Sequence, residues 1–137
     1  MLADRLERHG VHAWLVNTGW TGGPYGTGER MNINHTRSMV RAALSGALDG
    51  VPTVTDPIFG VEVPTACPDV PSEVLQPRAT WPDGEAYDRE AAALARMFED
   101  NFRVYADGVA ESVRAAGPRV VPDGHDVEIK VAGPGEG

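Results

Sequence analysis

Apolar and polar positions divide this chain into segments with distinct periods. Leu2 and Leu6 stand four residues apart among charged neighbours, as one stripe of a helix does, and Gly10 follows where helices commonly end. Val11-His12-Ala13-Trp14-Leu15-Val16-Asn17 is a short, mostly apolar run bounded by glycine, the pattern of a strand buried on both faces. From Thr18 to Gly28 the chain holds five glycines and a proline in eleven residues, a density that excludes helix or regular strand and predicts a long, shaped loop. A helix starts around Asn34-His35-Thr36-Arg37, with Asn34 or His35 near its cap. Its apolar positions Met39, Val40, Ala43, Leu44 and Ala47 recur at helical spacing as far as Asp49-Gly50.

Farther on, Val51 to Thr55 alternates around Pro52 like an edge strand. Asp56-Pro57 turns the chain, and Phe59, Val61 and Val63 alternate with polar or glycine positions as a second short strand. Pro64, Pro68, Pro71, Pro77 and Pro82 favour extended backbone with short turns, a strap laid over a surface. The clearest helix runs from Asp83 to Ala106, where Tyr87, Ala91, Leu94, Phe98, Phe102 and Tyr105 predict one aromatic-rich face turned inward. A weaker continuation through Val109 and Val113 stops at Gly117-Pro118. Residues 121–137, rich in glycine, proline and charge, read as a mobile tail after a domain of residues 1–120. No repeat of solenoid length is visible.

Composition narrows the function classes. A chain of 137 residues with 42% hydrophobic and 23% charged residues is one soluble domain or part of one. Its formal charge of −8 repels phosphate backbones and anionic lipid headgroups, which argues against a nucleic-acid partner. The single cysteine, Cys67, permits neither a disulfide framework nor a thiolate cluster for zinc and favours a reducing, cytoplasmic setting. No apolar run has the length of a membrane span, and the first residues lack the apolar stretch of a secretory signal, so neither export nor a membrane is expected.

The glycine-dense loop is the one segment whose composition suggests chemistry, because glycine lets backbone N–H groups approach an anion. Gly23-Pro24-Tyr25-Gly26-Thr27-Gly28 has the two-glycine spacing of a Walker A loop, but Glu29 and Arg30 stand where lysine and serine or threonine are required. A glutamate there adds negative charge beside a polyanion, so the segment is not a P-loop. It remains open as a tight structural loop. Arg30 is either a solvated side chain or a planar cation able to stack on a base. His9, His12, His35 and His125 lack metal-binding spacing, and no serine-centred nucleophile elbow occurs. Trp14, Trp20 and Trp81 have no basic stripe beside them and suit core or loop anchoring.

Taken together, the run Trp14-Leu15-Val16-Asn17-Thr18-Gly19-Trp20-Thr21-Gly22-Gly23-Pro24-Tyr25-Gly26-Thr27-Gly28, then Arg30-Met31 and Thr36-Arg37, resembles the ATP-dependent phosphoenolpyruvate carboxykinase family. Asp56-Pro57-Ile58-Phe59-Gly60-Val61, Val63-Pro64-Thr65, Cys67-Pro68, Val70-Pro71, Leu75-Gln76-Pro77-Arg78 and Thr80-Trp81 follow in that family's order, and Phe98, Asn101 and Phe102 fit as well. The resemblance covers residues 2–120, the carboxy-terminal part of the family's chain. It implies an α/β fold: a fragment of a mononucleotide-binding domain with a mixed sheet, a glycine-rich loop and a long amphipathic carboxy-terminal helix.

Members of that family convert oxaloacetate and ATP to phosphoenolpyruvate, carbon dioxide and ADP, using Mg2+ and Mn2+. By resemblance, Arg30, Met31 and Thr36 are adenine-side ATP contacts: a guanidinium against the base, apolar packing, and a hydroxyl at the adenine edge. Glu29 departs from the lysine common in the family and removes a positive charge near the nucleotide entrance. The family's P-loop, its metal-binding lysine, histidine and aspartate, and its oxaloacetate-binding arginines have no counterpart here. No catalytic residue and no metal ligand is therefore assigned, and the chain alone is expected to be inactive. A standalone adenine-nucleotide-binding or assembly module and an inactive truncated product are the alternatives.

Overall fold

The computed structural model describes residues 2–119, with side chains from residue 4 onward; the expectation for residues 121–137 lies outside the described residues. Helix α1 (Leu2–His9) ends at Gly10, whose φ of +57° is the left-handed turn that glycine adopts without steric cost. The apolar run after it is not a strand. Residues 11–17 pair with nothing among the described residues, and Leu15 is 93% exposed, while Trp14 alone packs against the core. A strand buried on both faces needs neighbours on each side, and the described chain supplies none.

The glycine-dense segment folds back on itself. Two-residue strands β1 (Trp20–Thr21) and β2 (Glu29–Arg30) pair antiparallel, so the expectation that no strand forms here is corrected at the neck of the loop. Helix α2 (Ile33–Ser45) follows, capped by Asn32 and not by Asn34 or His35. The Asn32 Oδ1 accepts the Asn34 N–H at 2.9 Å, since an asparagine side chain reaches the backbone two residues on, and Asn34 is already inside the helix. The helix stops at Gly46, φ +79°, whose N–H donates to the Ala42 carbonyl, before the predicted Asp49-Gly50.

Strands β3 (Thr53–Thr55) and β4 (Glu62–Pro64) form a hairpin in the register Thr53 with Pro64, Val54 with Val63 and Thr55 with Glu62. The turn is built by Asp56, whose Oδ1 accepts the N–H groups of Ile58 at 2.9 Å and Phe59 at 2.7 Å. Phe59 and Val61 therefore lie in the connection and not in the second strand. Both ribbons are two-stranded and antiparallel, which corrects the mixed sheet expected from the resemblance; among the described residues the fold is a mixed α/β assembly of small ribbons and helices.

The proline-rich strap contains two single-turn helices, α3 (Ser72–Leu75) and α4 (Pro77–Thr80), where extended backbone with short turns is expected from the sequence. Pro77 opens α4 and Pro71 caps α3, positions where a missing N–H costs nothing. Helix α5 (Gly84–Phe102) begins at Asp83, whose side chain accepts the Glu85 N–H. Its inward face keeps the amino-terminal part of the expected stripe, Tyr87 and Ala91, but not Leu94, Phe98 or Tyr105, which are exposed. Ala95, fully buried, and Ala91 pack with Ile58, flanked by Phe59 and Tyr87, while Phe98 is 52% exposed and reaches only the edge of Phe59, ring centres 6.4 Å apart. Alanine lets the helix lie close to the hairpin turn, and that approach leaves no room for a large side chain. A 3₁₀ turn (Ala106–Gly108) and α6 (Glu111–Ala115) complete the described chain.

A second cluster joins Ala42 and Leu48 of the α2 region to Cys67 and Val70, with Trp14 and Met39 at its margin. Burial, and then the nearby Asp69 carboxylate, push the Cys67 thiol above its ordinary range, so it is an apolar core side chain and not a nucleophile. Among the described residues no helix is long and apolar enough to cross a membrane.

One carboxylate makes the hairpin pH-sensitive. The Thr53 and Thr55 hydroxyls each donate to Glu62 at 2.6 Å, and these two bonds, Thr53 first, hold its carboxyl below the ordinary glutamate range. A carboxylate with a depressed folded pKa contributes stability that is present above its unfolded pKa and lost as pH falls through the folded value. Amide hydrogen exchange across residues 53–64 should therefore accelerate relative to α5 below about pH 4. Glu62→Gln should remove that dependence; the same acid response in both proteins would exclude Glu62 as its source.

Candidate functional site

The loop between β1 and β2 is shaped by close backbone approach. Pro24 carbonyl oxygen accepts N–H groups from Thr27 at 3.0 Å and Gly28 at 2.9 Å, which curls the tip into a turn. At the neck, a Cβ on Gly28 would lie 2.6 Å from both the Gly23 and the Thr21 carbonyl oxygens, and a Cβ on buried Gly23 would lie 2.9 Å from the Gly28 nitrogen. Glycine is needed at both positions for space. Asn17 fastens the base: its Nδ2 donates to the Trp20 carbonyl at 3.1 Å and its Oδ1 accepts the Gly19 N–H at 2.9 Å. The Met31 N–H donates to the Gly19 carbonyl at 2.7 Å, extending the ribbon one residue past Arg30.

This scaffold fixes the backbone from Arg30 to Thr36. Arg30 is exposed on β2 opposite Trp20, and Met31 is half-buried where the ribbon ends. Asn32 then caps α2, and half-buried Thr36 stands in the first turn with its N–H donating to the Asn32 carbonyl at 3.1 Å. The three sequence-predicted residues thus occupy one ribbon-to-helix junction. Thr36, but neither Arg30 nor Met31, also borders an open depression of about 660 Å³ along α2, together with Ile33, Arg37, Val40, Arg41, Leu44 and Ser45.

Arg37 and Arg41 are the charged residues of that lining, and the sequence alone did not single them out for binding. The signal was their four-residue spacing from Ile33 and from each other, which places them on one helix face. Among the described residues no carboxylate forms an ion pair with Arg30, Arg37 or Arg41; Arg78 pairs with Asp88 and Arg89 with Asp83, both at α4 and α5. In a chain of net charge −8, the α2 face that carries Arg37 and Arg41 is locally cationic, with Ile33, Val40 and Leu44 between the charges. Such a face suits a flat, apolar ring carrying anionic substituents. Among the described residues no group of three or more His, Cys, Asp or Glu side chains comes together.

Residues 1–73 match the phosphoenolpyruvate carboxykinase family of the ATP-dependent type. The chain is 56% identical over 119 residues to the phosphoenolpyruvate carboxykinase (ATP) of Thermus thermophilus, a stretch covering 87% of this chain and 22% of that relative. With the phosphoenolpyruvate carboxykinase (ATP) of Rubrobacter xylanophilus it shares 54% identity over 120 residues, 88% of this chain and 23% of the relative. With phosphoenolpyruvate carboxykinase (ATP) 2 of Moorella thermoacetica the identity is 56% over 120 residues, again 23% of the relative's length. The matched stretch is thus under a quarter of each of these proteins. With a family match across more than half of its residues and this level of identity beyond it, the chain belongs to the ATP-dependent phosphoenolpyruvate carboxykinase family.

Proposed function

We propose that this chain supplies the adenine-side wall of an ATP site for the reaction of oxaloacetate and ATP to phosphoenolpyruvate, carbon dioxide and ADP, in a cytoplasmic, gluconeogenic setting. In that reaction the bond to the departing carboxylate breaks to release carbon dioxide and leave an enolate. The enolate oxygen then bonds to the γ-phosphorus as the bond to ADP breaks. Divalent cations, Mg2+ and Mn2+, would neutralise the charge that develops on the phosphates. Their ligands belong to the part of the family's chain that this sequence does not match.

The chain's own residues bind and orient. The Arg30 guanidinium lies against the face of the base, Met31 adds apolar contact, and the Thr36 hydroxyl pairs with a polar atom of the adenine edge. None of the three moves a proton or forms a bond to substrate. The observation that supports this reading best is the rigid junction: the 2.7 Å bond from Met31 to Gly19 and the Asn32 cap leave little backbone freedom between Arg30 and Thr36. A wall that orients a ring needs that rigidity.

Purified 137-residue chain, given oxaloacetate, ATP, Mg2+ and Mn2+, is expected to form no phosphoenolpyruvate above the enzyme-free rate. Oxaloacetate-dependent turnover, read by carbon dioxide release and phosphoenolpyruvate together, would contradict the proposal by showing that the chemical groups reside in this chain.

A further inference from the structure

Thr80 lies far from the junction in sequence, yet it holds the glycine-rich loop. The Gly22 N–H, just past β1, donates to the Thr80 Oγ1 at 3.2 Å across 58 residues of chain. Thr80 Oγ1 donates its own proton to the Pro77 carbonyl at 2.7 Å, so the hydroxyl is locked as an acceptor facing the loop. The backbones also meet: a Cβ on Gly22, which sits at φ +76°, would lie 3.3 Å from the Thr80 carbonyl oxygen. Among the described residues this is the loop's only hydrogen bond to a partner outside residues 17–31.

Thr80 is itself held. Arg78, two residues earlier on α4, makes a two-pronged bond to Asp88 of α5, Nε to Oδ1 at 2.9 Å and Nη2 to Oδ2 at 3.0 Å. Its guanidinium rests on Gly84, where a Cβ would come within 2.9 Å of it. Trp81 meets the edge of Tyr87 on the same helix, ring centres 5.6 Å apart. A continuous path of contacts therefore runs from α5 through Arg78 and Thr80 to Gly22 and on to the return strand that carries Arg30.

We infer that Thr80 is a positioning residue for the adenine-side wall, fixing the glycine-rich loop against α4 and thereby the register and orientation at which Arg30 is presented. It touches no nucleotide. This inference rests on the nucleotide reading above, and its test separates the two. Thr80→Val keeps the shape and removes the acceptor together with the hydroxyl's own bond to Pro77; Thr80→Ser keeps both. Hydrogen exchange over residues 19–30 should accelerate roughly fivefold in T80V, the effect of one ordinary hydrogen bond, and return to the wild-type rate in T80S. ATP titration followed by the amide resonances of Met31 and Thr36 should show weaker binding in T80V, with recovery in T80S.

Unchanged loop exchange in T80V overturns the inference outright. Faster exchange with unaltered ATP affinity overturns the positioning role while leaving the contact real. If wild-type chain shows no saturable response to ATP, the nucleotide reading fails, and positioning of a nucleotide wall fails with it, whatever exchange shows for the seam. Should T80V not fold, Asp88→Asn, which loosens α4 from α5 and leaves Thr80 intact, must raise loop exchange to sustain the inference.

Discussion

Gly28→Ala is expected to destabilise the chain by about 2 to 3 kcal/mol, the upper range for forcing a methyl into filled space. Two opposing effects decide the sign. Replacing glycine with alanine removes freedom from the unfolded chain and by itself stabilises by about 0.4 to 1 kcal/mol. Against that, the new Cβ would stand 2.6 Å from two carbonyl oxygens, those of Gly23 and Thr21, and both belong to backbone that cannot rotate away. The neck of the ribbon must open, and with it the Trp20–Arg30 pairing. Gly50→Ala is the control, since no atom lies within 4 Å of its Cβ position and its φ is not positive; it should be neutral or slightly stabilising. Urea denaturation of the two variants checks the contrast through their midpoints. Equal midpoints would show that the neck is not packed as described.

Arg30→Ala should weaken ATP binding roughly tenfold while leaving the denaturation midpoint within experimental error. A guanidinium stacked on an aromatic face contributes about 0.5 to 2 kcal/mol, which spans a few-fold to some thirtyfold in affinity. Arg30 is exposed and forms no ion pair among the described residues, so its removal takes little from the fold. Arg30→Lys should recover only part of the affinity, because an ammonium is a point charge without a planar face. Full recovery by lysine would mean that Arg30 acts through charge alone, and an unaltered affinity in both variants would remove it from the wall.

Much of the chain's order was legible because it rests on local chemistry. Helical spacing through Met39, Val40 and Ala43 marks α2, and the Asp56-Pro57 turn marks the hairpin, since an aspartate side chain bonding to backbone two and three residues on is a short-range event. The misread elements depend on partners distant in sequence or absent from the described residues. Val11 to Asn17 has the apolar content of a buried strand, but strands form in pairs and nothing among the described residues pairs with it. In α5, Tyr87 and Ala91 of the expected stripe do face the core, whereas the close approach of the hairpin turn selects Ala95 in place of Leu94 and Phe98. Of the candidate site, Arg30, Met31 and Thr36 come from the family resemblance alone. The Asn32 cap, the Gly19–Met31 bond and the cationic face through Arg37 and Arg41 required the fold.

The exposed apolar residues have a related physical meaning. Leu15 and Leu44, the latter 84% exposed, belong to segments whose spacing predicted burial, in a chain matching less than a quarter of its relatives. Apolar surface left in water forgoes its contribution to stability, so cooperative unfolding of this chain should rest on the two small clusters around Ala42 and Ala95.

The most direct test of the adenine-wall proposal is an amide chemical-shift map of the 137-residue chain titrated with ATP and, separately, with inorganic tripolyphosphate. ATP is predicted to give saturable shifts centred on Arg30, Met31 and Thr36, which AMP reproduces and tripolyphosphate does not. Shifts that follow tripolyphosphate, that centre elsewhere, or that never saturate would contradict it.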